Sequence, residues 1–387
     1  MSFHGTTIRS GEHDCAWTLS GQFSLPIAPD YTHVLFHYDV NGDGVDDFFV
    51  APDPQYLTKV DKTITLVVSK IDGGVLSFEA TNCNLAAPLV YGIYRLRDID
   101  GDGVTDFVLT ANNGIRVILN RPGGPQTTIS YDFPDRTVLG PYLQDVALGA
   151  FDKDGASELA VGFSRIIGDV SAQTQSGTVL FPRPTQPSTQ APVQLAVTTL
   201  DGNGLDVAYN GQIGIFASLK GGRALYGAST QYGWLYQNGT KTTKRIGVYE
   251  DPTYLGAITI GGSERVFGSF GEDSYIFDPQ APDNGTVIKR APGTYSGRLL
   301  DVDGDGDLDL IETSSAGLPG LAIHNGDAAN GPSATWQELS PSQFRAPTAE
   351  TPFLAIGAMK GRLLVSDGYP GNPTTSPLVV AALGCGP

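Results

Sequence analysis

Cysteine and histidine are scarce in this chain, with three Cys and five His in 387 residues. Cys15, Cys83 and Cys385 are too few and too scattered for a disulfide scaffold or a zinc site. One bridge between Cys15 and Cys83, or three buried thiols, are the readings that remain. The histidines, His4, His13, His33, His37 and His324, offer no ligand spacing beyond His33 and His37, which a strand would hold on one face about 13 Å apart. Positive charge is also short: 24 basic against 41 acidic residues give a formal net charge of -17. Such a chain is repelled by nucleic-acid phosphates and by anionic membrane surfaces, so nucleic acid is excluded as the expected partner. No apolar run approaches the ~20 residues that span a bilayer, and no membrane insertion is expected.

Several catalytic signatures are missing as well. There is no Gly-x-Ser-x-Gly elbow, no His-Glu-x-x-His, no phosphate-cradling glycine loop and no dinucleotide fingerprint. This points away from covalent and hydride chemistry. The N-terminus "MSFHGTTIRSGEHDCAW" lacks a basic region followed by an apolar core, so no signal peptide is visible. The sequons Asn238-Gly239-Thr240 and Asn284-Gly285-Thr286 lean toward the secretory pathway. The expectation is a secreted protein if a signal peptide has been removed, and a cytoplasmic one otherwise.

Glycine and proline are plentiful, at 49 and 26, and Thr, Val, Tyr and Phe recur with little helical periodicity. That composition reads as all-β, with short strands joined by turns. A repeat then becomes visible. "DVNGDGVDDFFV" starts at Asp39, "DIDGDGVTDFVL" at Asp98, "DKDGASELAV" at Asp152, "DGNGLDVAY" at Asp201 and "DVDGDGDLDLIE" at Asp301, in steps of 59, 54, 49 and 100 residues. The doubled last step places a degenerate unit at "AITIGGSERVFGSF", residues 257–270, and another follows at "FLAIGAMKGRLLVSDG" from Phe353. Each unit reads as a strand entering the Asp loop, a second leaving it and a third beyond a Gly turn, as in "NGIRVILN", "SGTVLFP", "NGQIGIFAS" and "PGLAIHNGD". Units of this length and strand number are propeller blades. The expectation is one domain over residues 1–387, a seven-bladed β-propeller, with six or eight blades as the alternatives. "AWTLSGQFSLPI" and "SPLVVAAL" would share a blade and close the ring, since unpaired end blades would expose strand edges.

Oxygen donors at alternate positions, a main-chain carbonyl at the seventh and glycine at the sixth define a calcium loop. Three loops fit: Asp39, Asn41, Asp43, Val45 and Asp47; Asp98, Asp100, Asp102, Val104 and Asp106; and Asp301, Asp303, Asp305, Asp307 and Asp309. Their hard oxygens select Ca²⁺ over zinc or copper. Carboxylates so crowded would repel one another without a cation. An EF-hand is not expected, because strands flank the loops and the twelfth position is Val50, Leu109 or Glu312. The Asp152 and Asp154 loop has Ala156 at the fifth position when counted from Asp152, and the Asp201, Asn203 and Asp206 set is one residue short.

From residue 35 to about 365 this pattern resembles the FG-GAP or VCBS repeats of integrin α-subunit propellers and of a fungal lectin-type propeller. The resemblance implies structural calcium in about three blade loops, away from an axial ligand site. Polar residues just before the Asp loops would lie on innermost strands: His37 and Tyr38, Arg95 and Arg97, Gln144 and Asp145, and Arg298. Some should point into the central channel, with Arg95, Arg298 and His37 as donors to a reacting group and Tyr38 and Arg97 as ligand contacts. Tyr232, Trp234 and Tyr236 read either as a stacking wall for a sugar or planar ligand, or as blade packing. A lectin should repeat its binding residues from blade to blade, whereas these units diverge. Divergence favours one asymmetric site for a small molecule or glycan, and chemistry such as elimination, cyclisation or hetero-Diels-Alder cycloaddition that needs mainly orientation and hydrogen-bond donors. Such reactions suit the single-domain propellers of fungal biosynthetic cyclases and the larger polysaccharide lyases. A lectin and a protein-interaction propeller are the alternatives.

Overall fold

The computed structural model describes residues 16–24, 26, 31–38, 45, 47–52, 63–72, 75–86, 93–95, 98–102, 106–111, 113–119, 127–135, 137–167, 173–186, 190–200, 215–228, 232–245, 252–270, 273–291, 294–302, 305–314, 321–334, 336–339, 353–359, 362–367 and 379–386. Among them there is no helix, and so none long and apolar enough to cross a membrane.

The strands form seven four-stranded antiparallel sheets among the described residues. The first strand, β1 (Ala16–Ser24), belongs to the last sheet. The next sheet along the chain holds β2 (Tyr31–Tyr38), β3 (Asp47–Pro52), β4 (Thr63–Asp72) and β5 (Val75–Ala86) in that order. Then come β6 (Ile93–Arg95), β7 (Phe107–Ala111), β8 (Gly114–Leu119) and β9 (Thr127–Asp132). The third meander is β10 (Thr137–Gly149), β11 (Glu158–Ile167), β12 (Gln173–Pro182) and β13 (Val193–Leu200). It is followed by β14 (Phe216–Leu219), β15 (Ala224–Ala228), β16 (Tyr232–Gln237) and β17 (Thr240–Arg245). The fifth is β18 (Pro252–Ile260), β19 (Ser263–Phe270), β20 (Asp273–Asp278) and β21 (Ala281–Lys289). The sixth is β22 (Thr294–Leu300), β23 (Asp309–Ser314), β24 (Leu321–His324) and β25 (Gln337–Leu339). In the last, β26 (Phe353–Met359), β27 (Arg362–Asp367) and β28 (Val379–Gly386) take β1 as their fourth strand, with Trp17 opposite Cys385 and Phe23 opposite Val380.

Burial follows strand position. In β11, second in its sheet, six consecutive residues, Glu158–Phe163, are buried on both faces, whereas β9, fourth in its sheet, alternates. A strand covered on both sides lies between two other sheets; a strand at the rim shows one face to water. The core agrees. One cluster joins Val108, Ile115 and Phe133 to Leu159, Val161 and Phe163 of the following sheet, and the next joins Phe151, Ala160 and Leu180 to Phe216, Leu225 and Trp234. Two more join Ala217 and Tyr226 to Leu255 and Val266, and Ile258 and Phe267 to Leu299 and Leu310. Each apolar layer is shared face to face by consecutive sheets, and first strands touch their neighbours, β2 with β6, β14 with β18, β18 with β22, and β2 with β26.

Short turns set the hairpins. Gly261 and Gly262, at φ +55° and +75°, close β18 on β19, and Asn238 and Gly239, at +51° and +69°, close β16 on β17. Two successive positive φ values are the turn whose twist matches flanking strands, which is why Gly-Gly and Asn-Gly stand there. The expected strand, turn, strand reading of 257–270 is thus present as β18 and β19, and Phe353 opens β26.

One unit is displaced. The repeat places Asp201 between a first and a second strand, but residues 193–200 form β13, the fourth strand of its sheet, and "NGQIGIFAS" supplies β14, a first strand. Asp201, Asn203 and Asp206 lie outside the described residues. The alternation that marks 193–200 as a strand is the same for an inner or an outer position, and pairing with β12 decides for the outer.

Candidate functional site

The Asp loops after β2, β6, β10 and β22 all connect a first strand to a second. In the loop after β6, Asp98, Asp100 and Asp106 bring carboxylate oxygens within 4.8 Å of one another. Oxygens bound at about 2.3–2.6 Å to one Ca²⁺ can lie up to about 5 Å apart, so separations within 4.8 Å are compatible with one hard divalent ion. Asp98 Oδ1 also accepts the amides of Gly101 and Asp102 at 2.6 and 2.8 Å, which curls the loop around its first ligand. Val104 is outside the described residues, as are Asp39, Asn41, Asp43 and Asp303.

The ninth-position carboxylates are buried, with Asp47 and Asp106 0% and Asp309 2% exposed. Asp106 Oδ2 accepts the Ile99 amide at 2.6 Å and Asp309 Oδ2 the Val302 amide at 2.9 Å, in each case seven residues back. Asp47 Oδ1 accepts the Ser69 amide of β4 at 2.7 Å, and Asp309 Oδ1 the Gly326 amide just past β24 at 2.6 Å. These side chains tie the loop to the sheet, so sequence spacing alone understated their work. Asp307, expected to matter only for its carbonyl, uses Oδ2 to accept the Ala328 amide at 2.9 Å, while Asp305 Oδ1 accepts the Asp307 amide. Val45 is buried at 2% exposure. Glu312, at the twelfth position, points away: its Oε2 accepts from Ala291 N and Thr294 Oγ1 at 2.8 and 3.1 Å and lies 3.4 Å from His324 Nε2.

The Asp152 loop needs a corrected frame. Glu158 Oε2 accepts the Phe151 amide at 2.8 Å, again seven residues back. Aligned on this bond, Asp152 is third, Asp154 fifth, Gly155 sixth and Glu158 ninth. Gly155 at φ +71° then matches Gly306 at +98°, so the glycine that permits the left-handed turn sits at one place in both. Only the first position lacks a carboxylate, with Ala150 there. Counting from the first Asp misaligned the loop by two.

A second constellation gathers on first strands. Asp145 of β10 follows a bulge between Leu143 and Asp145, and Tyr254 of β18 follows one between Pro252 and Tyr254. Bulges re-aim the side chains beside them. Asp145 Oδ1 accepts the Val146 amide at 2.8 Å and Oδ2 the Phe216 amide of β14 at 3.2 Å. Burial pushes the Asp145 carboxyl up to about 7, against these two hydrogen bonds and the positive charge of Arg298 on β22. Burial, and then the Asp145 charge, also raises the Tyr254 hydroxyl, to which the Leu299 backbone makes a hydrogen bond. Asp145 and Arg298 belong to sheets separated by two others, yet the positive charge of Arg298 is close enough to bear on Asp145. A carboxyl that titrates near neutrality beside a phenol and an exposed guanidinium can give and take a proton while an anion is held.

Of the expected site residues, Arg298 is in this group. His37 and Tyr38 lie on β2 and Arg95 on β6, both first strands, with the backbone alone described; Arg97 is outside the described residues. Tyr254 was missed because its unit has no Asp loop to mark the strand end. Tyr232 opens β16, with its backbone alone described. The stacking wall fails at Trp234 and Tyr236: they are 0% and 9% exposed and sit in the core with Phe151, Leu180 and Phe216. Trp234 lies on Gly227, where an added Cβ would come within 2.2 Å of its ring. Neither ring is left exposed for a sugar to cover.

The radial stacking of antiparallel four-stranded meanders, with apolar layers between them, defines the fold class as a β-propeller. Solved structures agree. BBS1N in complex with ARL6DN is similar at TM-score 0.52 and 12% identity, over 96% of this chain and 97% of that one. Virginiamycin B lyase from Staphylococcus aureus, in a catalytically inactive form with quinupristin, is similar at TM-score 0.51 and 12% identity, over 95% and 99%. No protein-family model and no curated protein sequence matches the chain.

Proposed function

We propose that the chain is a seven-bladed, calcium-stapled β-propeller with one asymmetric axial site for a small molecule, acting as a non-redox enzyme of the lyase or cyclase type. The seven sheets and the pairing of β1 with β28 support a ring closed by its two ends. The observation that carries the site is the electrostatic coupling of Asp145 and Tyr254 to one another and to Arg298, three residues that stand on three different first strands. Asp145 is the general acid or base, Arg298 holds an anionic or developing oxyanionic group, and Tyr254 is a second proton donor; His37 and Arg95, on the first strands β2 and β6, are proposed as further donors. Elimination and cyclisation both need these parts and no electron carrier. Calcium in the loops after β2, β6 and β22 holds first strands to second ones and so fixes the rim on which the site is built.

A small-molecule library scanned by thermal shift on the wild type, Asp145→Asn and Arg298→Ala tests this. Compounds that stabilise only the wild type, and are transformed by it alone, are expected. Hits that stabilise all three proteins equally would sink the axial site. A protein-binding propeller is the second reading, favoured by the β4–β5 hairpin tip, where Ile71 and Val75 are 46% and 66% exposed.

A further inference from the structure

In the corrected frame, the 150–158 loop presents Asp152, Asp154 and Glu158 at the third, fifth and ninth positions, with a glycine at the turn. A cation from the neighbouring strand end stands over its fifth carboxylate. Glu158 pairs with Pro182, the last residue of β12, and Arg183 follows. From there the Arg183 Nη2 forms an ion pair with Asp154 Oδ2.

The same register in the other sheets can be read off the ladders. Phe48 pairs with Val67, so Asp47 stands opposite Val68 and Ser69 comes next; Leu310 pairs with His324, so Asp309 stands opposite Asn325 and Gly326 comes next. Ser69 and Gly326 each give a backbone amide to the ninth carboxylate, and neither is a cation. Arg183 occupies their place with a long cation. Its backbone is held at φ +48°, a conformation that non-glycine residues adopt at a cost, and its carbonyl accepts the Gln186 amide at 2.7 Å. The tight turn after β12 therefore starts at the residue that neutralises the loop.

We propose that Arg183 is the resident cation of this blade: its guanidinium takes the role that a divalent ion takes in the sister loops, and shortening it turns 150–158 into a divalent-metal site. The inference rests on the calcium reading of those loops. A guanidinium satisfies a carboxylate directionally and cannot be chelated away, so this blade would keep its loop at low calcium.

Calcium bound per chain, measured by calorimetry on the wild type, Arg183→Ser and Arg183→Lys, tests it together with melting curves in EDTA and in calcium. Arg183→Ser should bind one more Ca²⁺ than the wild type, melt lower than the wild type in EDTA, and recover in calcium; Arg183→Lys should gain no ion. An Arg183→Ser protein with the wild-type ion count overturns the proposal. If Arg183→Ser does not fold, Asp154→Asn decides: it should lower the melting temperature equally with and without calcium, and a loss seen only in calcium would place a metal there instead. Failure of the general calcium reading is separate, since it would show as no ion bound by the wild type.

Discussion

Glu158 accepts the backbone amide of Phe151 at 2.8 Å, and that of Asp152 at the same distance. This one side chain, 2% exposed, holds the start of its loop against the start of β11, as Asp106 and Asp309 do with one methylene less.

Glu158→Ala should leave two amides without acceptors and cost ~1–3 kcal/mol for each that stays buried. Glu158→Gln keeps a carbonyl oxygen able to accept both, and should lose much less. Denaturant unfolding of the pair checks this; equal losses would show that the carboxylate charge, rather than the acceptor, is what the loop needs.

Asp145 sets a pH dependence. Its folded value of about 7 lies above the ordinary 3.8, so between these the folded state holds the proton that the unfolded state has released. Its contribution to stability is greatest below that window, declines as pH rises from about 4 to 7, and is flat above. Melting temperature against pH should therefore slope less steeply downward in Asp145→Asn. Arg298→Ala, which removes the charge that lowers Asp145, should push the inflection to higher pH.

Calcium withdrawal should be read as a melting shift. At a hundredfold excess over Kd, each site bound only in the folded state contributes about 2.7 kcal/mol. EDTA should lower the melting temperature accordingly, and Asp100→Asn should reduce the EDTA effect without changing the fold. Loss of ligand transformation in EDTA while the protein remains folded would assign the metal to the chemistry.

Trp234 separates packing from binding. Trp234→Ala should cost ~3–5 kcal/mol, as large buried aromatics do. Gly227→Ala, which drives a methyl into the indole, should also destabilise, by ~1–3 kcal/mol. Glycan binding lost in Trp234→Phe at unchanged stability would restore the stacking wall.

Much of the architecture was legible because its determinants are local. Alternating apolar residues, Asn-Gly and Gly-Gly turns and the Asp loops each act within about ten residues, and they recur, so strands and units could be counted along the chain. The candidate site was legible only in part. Asp145 and Arg298 were visible as polar residues ahead of Asp loops, whereas Tyr254 stands in a unit without one.

What the sequence determined by itself is the all-β class, the repeating unit and the oxygen-rich loops, since backbone geometry and donor type follow from residue identity and spacing. Tertiary structure decided the rest. Which face Trp234 covers, whether 193–200 is an inner or an outer strand, and that the charge of Arg298 bears on Asp145 from a sheet far along the sequence all depend on how the sheets stack. The frame of the Asp152 loop was also settled there, because a hydrogen bond from Phe151 to Glu158 depends on where the chain folds back, and a count of carboxylates cannot locate that point.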